Sequence, residues 1–542
     1  MSSFRLTFRF VTCFLFLTGL SKAQVFTPAD TLRGSIGTGR ADWDALKYDL
    51  SVRFNYTDQT LNGYNKISYK VLKKNDVMQI DLQEPLVIDS CPGTEIVKDG
   101  NAYFLHSLTG KAIGTINTLT IYYHGKPQIA RHPPWDGGLI WTKDKNANPW
   151  ISIACQGKGA SVWYPCKDHQ SDEPDSAELH LTCPDTLVAV SNGRLKGKTH
   201  NKDGTVTYDW AVSSPINNYD LTSYIGKYIH FAEKYPGEKG DLDMDYWVLP
   251  ENLEKARVQF KDAGRMMKAF EYWFGPYPFY EDGYKLVDAP FLGMEHQSAI
   301  AYGNDYQNGY KGSDLSGTGW GMKWDFIIVH ESAHEWFGNN ITAKDIADMW
   351  IHESFANYSE TLFTEYYYGK EAGNAYCIGT RSLIKNDIPV IGPYGVNQEG
   401  SEDMYDKGGN MIHTLRQIIN DDEKFRMILR GLTKEFYHQT VSSKQIEDYI
   451  SQEAKMDFSK IFDQYLRTTK IPVLEYKLEK GILSYHWTNC VKGFDMPLKV
   501  TLEKNNYRFI YPTEAIQQIK SAIKNENDFQ IDKNFYIAIS AE

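Results

Sequence analysis

Cysteine is scarce in this sequence, with seven in 542 residues, and no two of them stand at the short spacings of a zinc finger or ribbon. A cysteine-built metal centre is therefore excluded. Positive charge is in deficit as well: 58 Lys and Arg face 69 Asp and Glu, and no basic stripe marks a nucleic-acid footprint. After residue 20 no apolar run approaches the roughly twenty residues needed to cross a bilayer, so no stable membrane insertion is expected. Internal repeats and low-complexity tracts are missing too.

What is present is ample material for a folded protein. Hydrophobic residues make up 42% of the chain and aromatic ones 14%, and a chain of this length divides into about two to four domains. Residues 1–23 stand apart. Arg5 and Arg9 precede the apolar stretch Phe10–Leu20, and Ser21, Lys22 and Ala23 form a small-residue cleavage site. We read a secretory signal peptide, cut near Ala23, and expect an extracytoplasmic protein, periplasmic or secreted. A membrane anchor is the competing reading, but the apolar core is about half the length a span requires. Cleavage removes three basic residues and no acidic one, which takes the formal charge from −11 to −14. It also removes Cys13, leaving Cys91, Cys155, Cys166, Cys183, Cys377 and Cys490. Cys155 with Cys166 is a candidate disulfide in an oxidising compartment; buried free thiols are the equal alternative.

Periodicity divides the rest. Tyr48, Leu50, Val52 and Phe54 alternate with polar residues, and β-type runs continue to residue 250. From Glu251 the period becomes helical, first in a stretch ending at Gly275-Pro276, and stays so to residue 468. Alternation returns from residue 469 to 542. We expect a multidomain α+β protein: signal peptide at 1–23, β domain at 24–250, mostly helical domain at 251–468 and short β domain at 469–542.

The helical stretch carries the chemistry. In FIIVHESAHEWFGNN, His330 and His334 stand four apart on a helix of 3.6 residues per turn, so both imidazoles reach one metal, and the intervening Glu331 leans over its open side. Trp324, Phe326, Ile327, Ile328 and Val329 bury that helix, and Gly338-Asn339 should end it. Nineteen residues on, in the helical run DMWIHESFANYSETLF, Glu353 is the third ligand, with Asn357 and Glu360 on its face as alternative partners for a ligand histidine's second nitrogen. Two imidazoles and a carboxylate bind one Zn²⁺ and leave a fourth position for water, the composition of a catalytic site. Glu331 is the general base for amide hydrolysis.

HESAHEWFGN followed by the WIHESFA glutamate resembles the gluzincin zinc aminopeptidases, the aminopeptidase N and leukotriene-A hydrolase group. FLGMEHQSAIAYG is similar to that family's Gly-x-Met-Glu-Asn exopeptidase motif, matching at Gly293, Met294 and Glu295. ACQGKGASVWYPCKD is similar to the segment whose glutamine, here Gln156, lines the substrate's amino end, and MYDKGGNMIHTLR to the segment with the catalytic tyrosine, here Tyr405. The resemblance implies a β-saddle N-terminal domain, a thermolysin-like catalytic domain and a small C-terminal β domain, acting on peptides with a free N-terminus. It also implies substrate-binding roles for Gly293, Met294, Glu295 and Gln156.

Chemistry supports those assignments independently. A peptide's α-amine has a pKa of about 7.7–8.0 and is mostly protonated at neutral pH, so an exopeptidase needs a carboxylate at a fixed distance from the metal. Glu295 can serve, with Gln156 accepting a further hydrogen bond. Tyr405, just before an amphipathic helix containing Met411, Ile412, Leu415 and Ile418, can donate to the oxyanion. Departures from the family pattern are His296 in the asparagine position, Glu335 after the second histidine, and His352 and Ser354 flanking Glu353. His296 bears on the shape, polarity and pH response of the pocket for the first side chain, since histidine is bulkier than asparagine and can charge near pH 6.5, about the free-histidine value. Three other functions compete: a thermolysin-type endopeptidase, which has no need of Glu295; a leukotriene-A-type epoxide hydrolase; and a peptide-binding scaffold with vestigial zinc.

Overall fold

The structure, a computed structural model, describes residues 25–74, 76–107, 110–523 and 526–541. The segment read as a signal peptide lies outside them. The first unit is mostly β, after two short helices at Pro28–Gly34 and Thr38–Ala41. Trp43–Asn55 runs antiparallel to Thr60–Val71 and parallel to Ser176–Pro184 inside a seven-stranded sheet, its alternate residues buried as its sequence alternation requires. A four-stranded sheet that includes Pro149–Ala154 packs with it around Leu50, Ile67, Ile153, Trp163 and Leu179.

The second unit combines helices with a five-stranded sheet whose order is Ile229–Gly237, Gly240–Val248, Tyr284–Asp288, Ile300–Tyr302 and Gly293–Met294. This sheet crosses residue 250. Its first two strands show the same alternation as the strands before them, yet Gly240–Val248 pairs in parallel with Tyr284–Asp288, and Leu242, Met244, Tyr246 and Val248 join the helical core. Alternation reports a strand and not the sheet it enters. The helical stretch from Glu251 is two helices, Leu253–Gln259 and Lys261–Phe274, joined at Phe260 and closed at Gly275, whose φ of 93° suits glycine. Short strands from Val473 to Ala541 form the last unit, and Leu474, Trp487 and Leu498 continue the helical core. Arg381 ties the two together by donating to the carbonyls of Lys533 and Asn534.

No helix among the described residues is long and apolar enough to cross a membrane. Cys155 and Cys166 are not bridged: both are buried free thiols, and Cys155 Sγ donates to the Tyr219 carbonyl at 3.3 Å.

Candidate active site

The motif helix, Phe326–Ala333, is capped by Asp325, whose carboxylate accepts from Ile328 N at 3.2 Å. It ends sooner than Gly338. After Ala333 the chain opens into a wide turn, Glu335–Asn339, in which Phe337 and Gly338 leave helical conformation. That turn aims the Phe337 carbonyl at His334 Nδ1, 3.0 Å away. Gly338 has φ 134°, and a Cβ there would sit 3.2 Å from the same nitrogen, so glycine is required.

His330 is oriented from the neighbouring helix, Trp350–Tyr368. Its Nδ1 lies 2.8 Å from Glu360 Oε1, and Tyr376 Oη donates to the other Glu360 oxygen at 2.6 Å. Glu360 is therefore the partner; Asn357 donates to Asp406 instead. Phe326 stacks on the His330 ring at 5.2 Å. With both Nδ1 atoms engaged, both Nε2 atoms face Glu353, at 3.6 Å from His330 and 3.4 Å from His334.

The three donors fit a divalent metal. Their ligand atoms lie within 4.8 Å of one another, and Glu353 Oε2 is buried with no hydrogen-bond partner. Glu295, Glu331, Glu353 and Glu360 are all buried here, and among the described residues no Lys or Arg forms an ion pair with any of them. A dication offsets that accumulated negative charge. Glu295, Glu331 and His334 form a second convergent group, but Glu295 Oε1 already accepts from Tyr219 Oη at 3.1 Å and from the Gln156 amide at 2.5 Å. The His330, His334 and Glu353 set is the one that fits a metal better.

Burial raises the Glu331 carboxyl, with His330 opposing and Glu295 adding to the shift. Gly293 makes room for it: a Cβ there would meet Glu331 Oε1 at 2.6 Å and Ile327 Cγ2 at 2.9 Å. Glu295 is held by Asn339 Nδ2, which donates to its carbonyl at 2.8 Å, and burial raises its carboxyl too. Gln156, from the β unit, turns its amide toward both Glu295 and, at 3.4 Å, Glu353 Oε1.

Tyr405 precedes the helix Asp406–Ile419, its ring 6.0 Å from that of His330. Ser354 Oγ donates to the carbonyl of Met404 at 2.6 Å, and Gly408 and Gly409 let that helix approach Ser354 and Asn357 closely. The nine residues given metal, catalytic or substrate-binding roles from the sequence all line one cavity of about 900 Å³.

Sequence reasoning missed Tyr219, Trp135 and Glu399. Tyr219 touches Glu295, and the other two line the same cavity. None carries a spacing signal: Tyr219 sits in the short turn Asn218–Asp220, and Trp135 and Glu399 come from separate loops. His296 overturns its expectation: it is fully buried outside the cavity lining, its Nδ1 2.6 Å from Tyr224 Oη, and burial lowers its pKa to about 3. It therefore stays neutral at pH 6.5. Glu335 is also internal, accepting from Ser298 N at 2.8 Å and Tyr277 Oη at 3.0 Å, while His352 Nε2 accepts from Ala343 N at 2.8 Å.

Comparison with known proteins agrees with this geometry. Residues 259–465 match the Peptidase family M1 domain. The chain is 22% identical over 354 residues to Tricorn protease-interacting factor F2 of Thermoplasma volcanium, covering 62% of this chain and 43% of that protein. It is 22% identical over 413 residues to human endoplasmic reticulum aminopeptidase 1, covering 73% and 42%. For the probable aminopeptidase 2 of Sulfurisphaera tokodaii the figures are 22% over 480 residues, 86% and 54%. The chain thus spans about half the length of the curated relatives it matches. The fold is shared with the M1 zinc metallopeptidase of Deinococcus radiodurans at a TM-score of 0.67 and 19% identity, covering 79% of this chain and 95% of that one. The segment that matches the Peptidase family M1 domain is the one that holds the two histidines, Glu353 and Tyr405, and the aminopeptidases named above are what the chain is similar to.

Proposed function

We propose that the protein is a zinc aminopeptidase that removes single residues from the free N-termini of peptides. The observation that supports this reading is the pairing of the His330, His334 and Glu353 cradle with a separate buried carboxylate, Glu295, which lies within 4.8 Å of His334 and Glu331. His330, His334 and Glu353 would hold a zinc ion, which would supply Lewis acidity for a carbonyl oxygen and for water.

The chain's own groups do the rest. Glu295 receives the substrate ammonium and Gln156 accepts a second hydrogen bond from it, which fixes the scissile bond one residue in. Glu331 takes the proton of the attacking water and returns it to the leaving amine. Tyr405 donates its phenolic proton in a hydrogen bond to the oxyanion; burial beside Glu353 and Glu399 raises its pKa and keeps that proton in place. Gly293 leaves space for Glu331, and Met294 lines the path of the first side chain.

Glu295 favours this reading over an endopeptidase, whose substrate presents no ammonium to a buried carboxylate. A D. radiodurans M1 variant of the same fold, at a TM-score of 0.65, is bound to a Tyr-Ser-Ala substrate. The test is hydrolysis of aminoacyl arylamides beside N-acetylated equivalents, with and without chelator, by the wild type and Glu295→Ala. We expect chelator-sensitive release from free amines alone and a loss of roughly a hundredfold or more in the variant. Equal cleavage of the blocked substrates overturns the reading.

Export belongs to the same proposal, and it predicts a mature protein beginning near Gln24. N-terminal sequencing that finds Met1 intact would contradict it.

A further inference from the structure

We propose that the cavity wall beside Gln156, built from Glu399 and the indole of Trp135, selects substrates whose first residue carries a long cationic side chain, arginine or lysine. This inference rests on the aminopeptidase reading above. If Gln156 and Glu295 hold the ammonium, the first side chain departs from the adjoining carbon, so the wall next to Gln156 is what it meets.

Two unassigned groups stand there. The Glu399 carboxylate reaches in against Gly157, where a Cβ would lie 3.1 Å from its Oε1. Asn397 fixes this loop by donating to the Gly157 carbonyl at 3.3 Å. Among the described residues nothing donates to Glu399 or forms an ion pair with it. Of the two lysines in the cavity wall, Lys385 is taken by Glu402 and Lys158 makes no pair with Glu399. A half-buried carboxylate without a counter-ion is a site for a cation.

Trp135 is 70% exposed at the cavity rim, yet its loop is pinned. Asp136 accepts from Arg131 N at 2.7 Å and from His132 N at 2.9 Å. Gly137, at φ 63°, lies so close to Lys158 that a Cβ would come within 2.5 Å of the lysine Cβ, which seats this loop on the turn carrying Gln156. An indole held in water on a fixed loop offers its face to a ligand, and tryptophan is the strongest cation–π partner. Ring and carboxylate together suit a guanidinium or ammonium on an aliphatic stem. A leucine side chain in the same place would desolvate Glu399 and leave it unpaired.

The test is the ratio of kcat/KM for arginyl to leucyl 4-nitroanilide in the wild type, Glu399→Gln and Trp135→Ala. It is joined by calorimetric binding of argininamide and leucinamide to the zinc-free protein. We expect a wild-type ratio above about ten, a fall of at least about tenfold in Glu399→Gln and a fall of several fold in Trp135→Ala. Argininamide should bind at least about tenfold more tightly than leucinamide, with the difference lost in Glu399→Gln. A ratio near one, a preference for aromatic first residues, or a ratio unmoved by Glu399→Gln overturns the inference while leaving the aminopeptidase reading intact. Failure to cleave any aminoacyl substrate sinks that reading instead, and the calorimetric comparison still decides the selectivity.

Discussion

Gly293 is a residue whose absent side chain does the positioning. A single methyl there would press on the Glu331 carboxylate from 2.6 Å, so Gly293→Ala should displace the proposed proton acceptor and lower kcat at least about tenfold, while zinc content stays at the wild-type level. Loss of zinc in parallel with activity would show that the methyl disturbs the cradle instead. Glu360→Gln tests the opposite wall. It replaces the acceptor that holds His330 Nδ1–H, and by analogy with other ligand-orienting groups it should weaken zinc binding about 10–100-fold in competition with a chelator. At this scale the sequence was most readable where helical period ties residues together, as with His330, Glu331 and His334. Tyr219 could not be found that way. It is one of 36 tyrosines and meets Glu295 only because a loop of the β unit folds over that residue.

Between elements, the decisive contact is that of the Glu353 helix with the helix following Tyr405. Cβ atoms built on Gly408 and Gly409 would fall 1.8 Å from Ser354 Oγ and 2.2 Å from Asn357 Oδ1. Gly408→Ala must push the helices apart and break the Ser354 bond to Met404, the residue before Tyr405. Overpacking of this kind costs about 1–3 kcal/mol, to be read from the denaturation midpoint, and kcat should fall with it because the phenol moves. An unchanged midpoint would mean that the helices are free to slide. Element type was legible in the sequence from period and from Gly275, but element membership was not. The strands at residues 229–248 look like their predecessors, and only the parallel pairing with Tyr284–Asp288 assigns them to the catalytic layer. The motif helix likewise stops at Ala333, where the chain turns so that the Phe337 carbonyl meets His334 Nδ1, a side-chain-to-backbone contact that helical period does not express.

For the molecule as a whole, two dependences follow. His413 is fully buried between the catalytic and C-terminal units, its Nδ1 3.0 Å from Tyr358 Oη and its Nε2 3.0 Å from Asn534 Oδ1. Burial lowers its pKa to about 3, with Asn534 opposing and Arg416 assisting. The unfolded chain therefore takes up a proton near pH 6.5 that the folded chain refuses, and the stability from this residue is present above that pH and drains away toward pH 3. Between pH 7 and pH 4, Tm should fall more in the wild type than in His413→Gln; equal slopes would show that His413 titrates freely. Metal removal is the second dependence. Buried Glu353, Glu331 and Glu295 lose their counter-charge, so chelation should lower Tm and added zinc restore it, in proportion to the logarithm of free metal.

Gln156 belongs to the β unit by sequence and by core, yet its amide lies against Glu295 and Glu353 of the metal-binding unit. The hydrolytic half is consequently not a self-sufficient cassette. Excised, or grafted onto a foreign partner, it would lose the amide that lies against both of those carboxylates, and on the proposed reading it should lose discrimination between free and blocked amino ends before it loses metal binding.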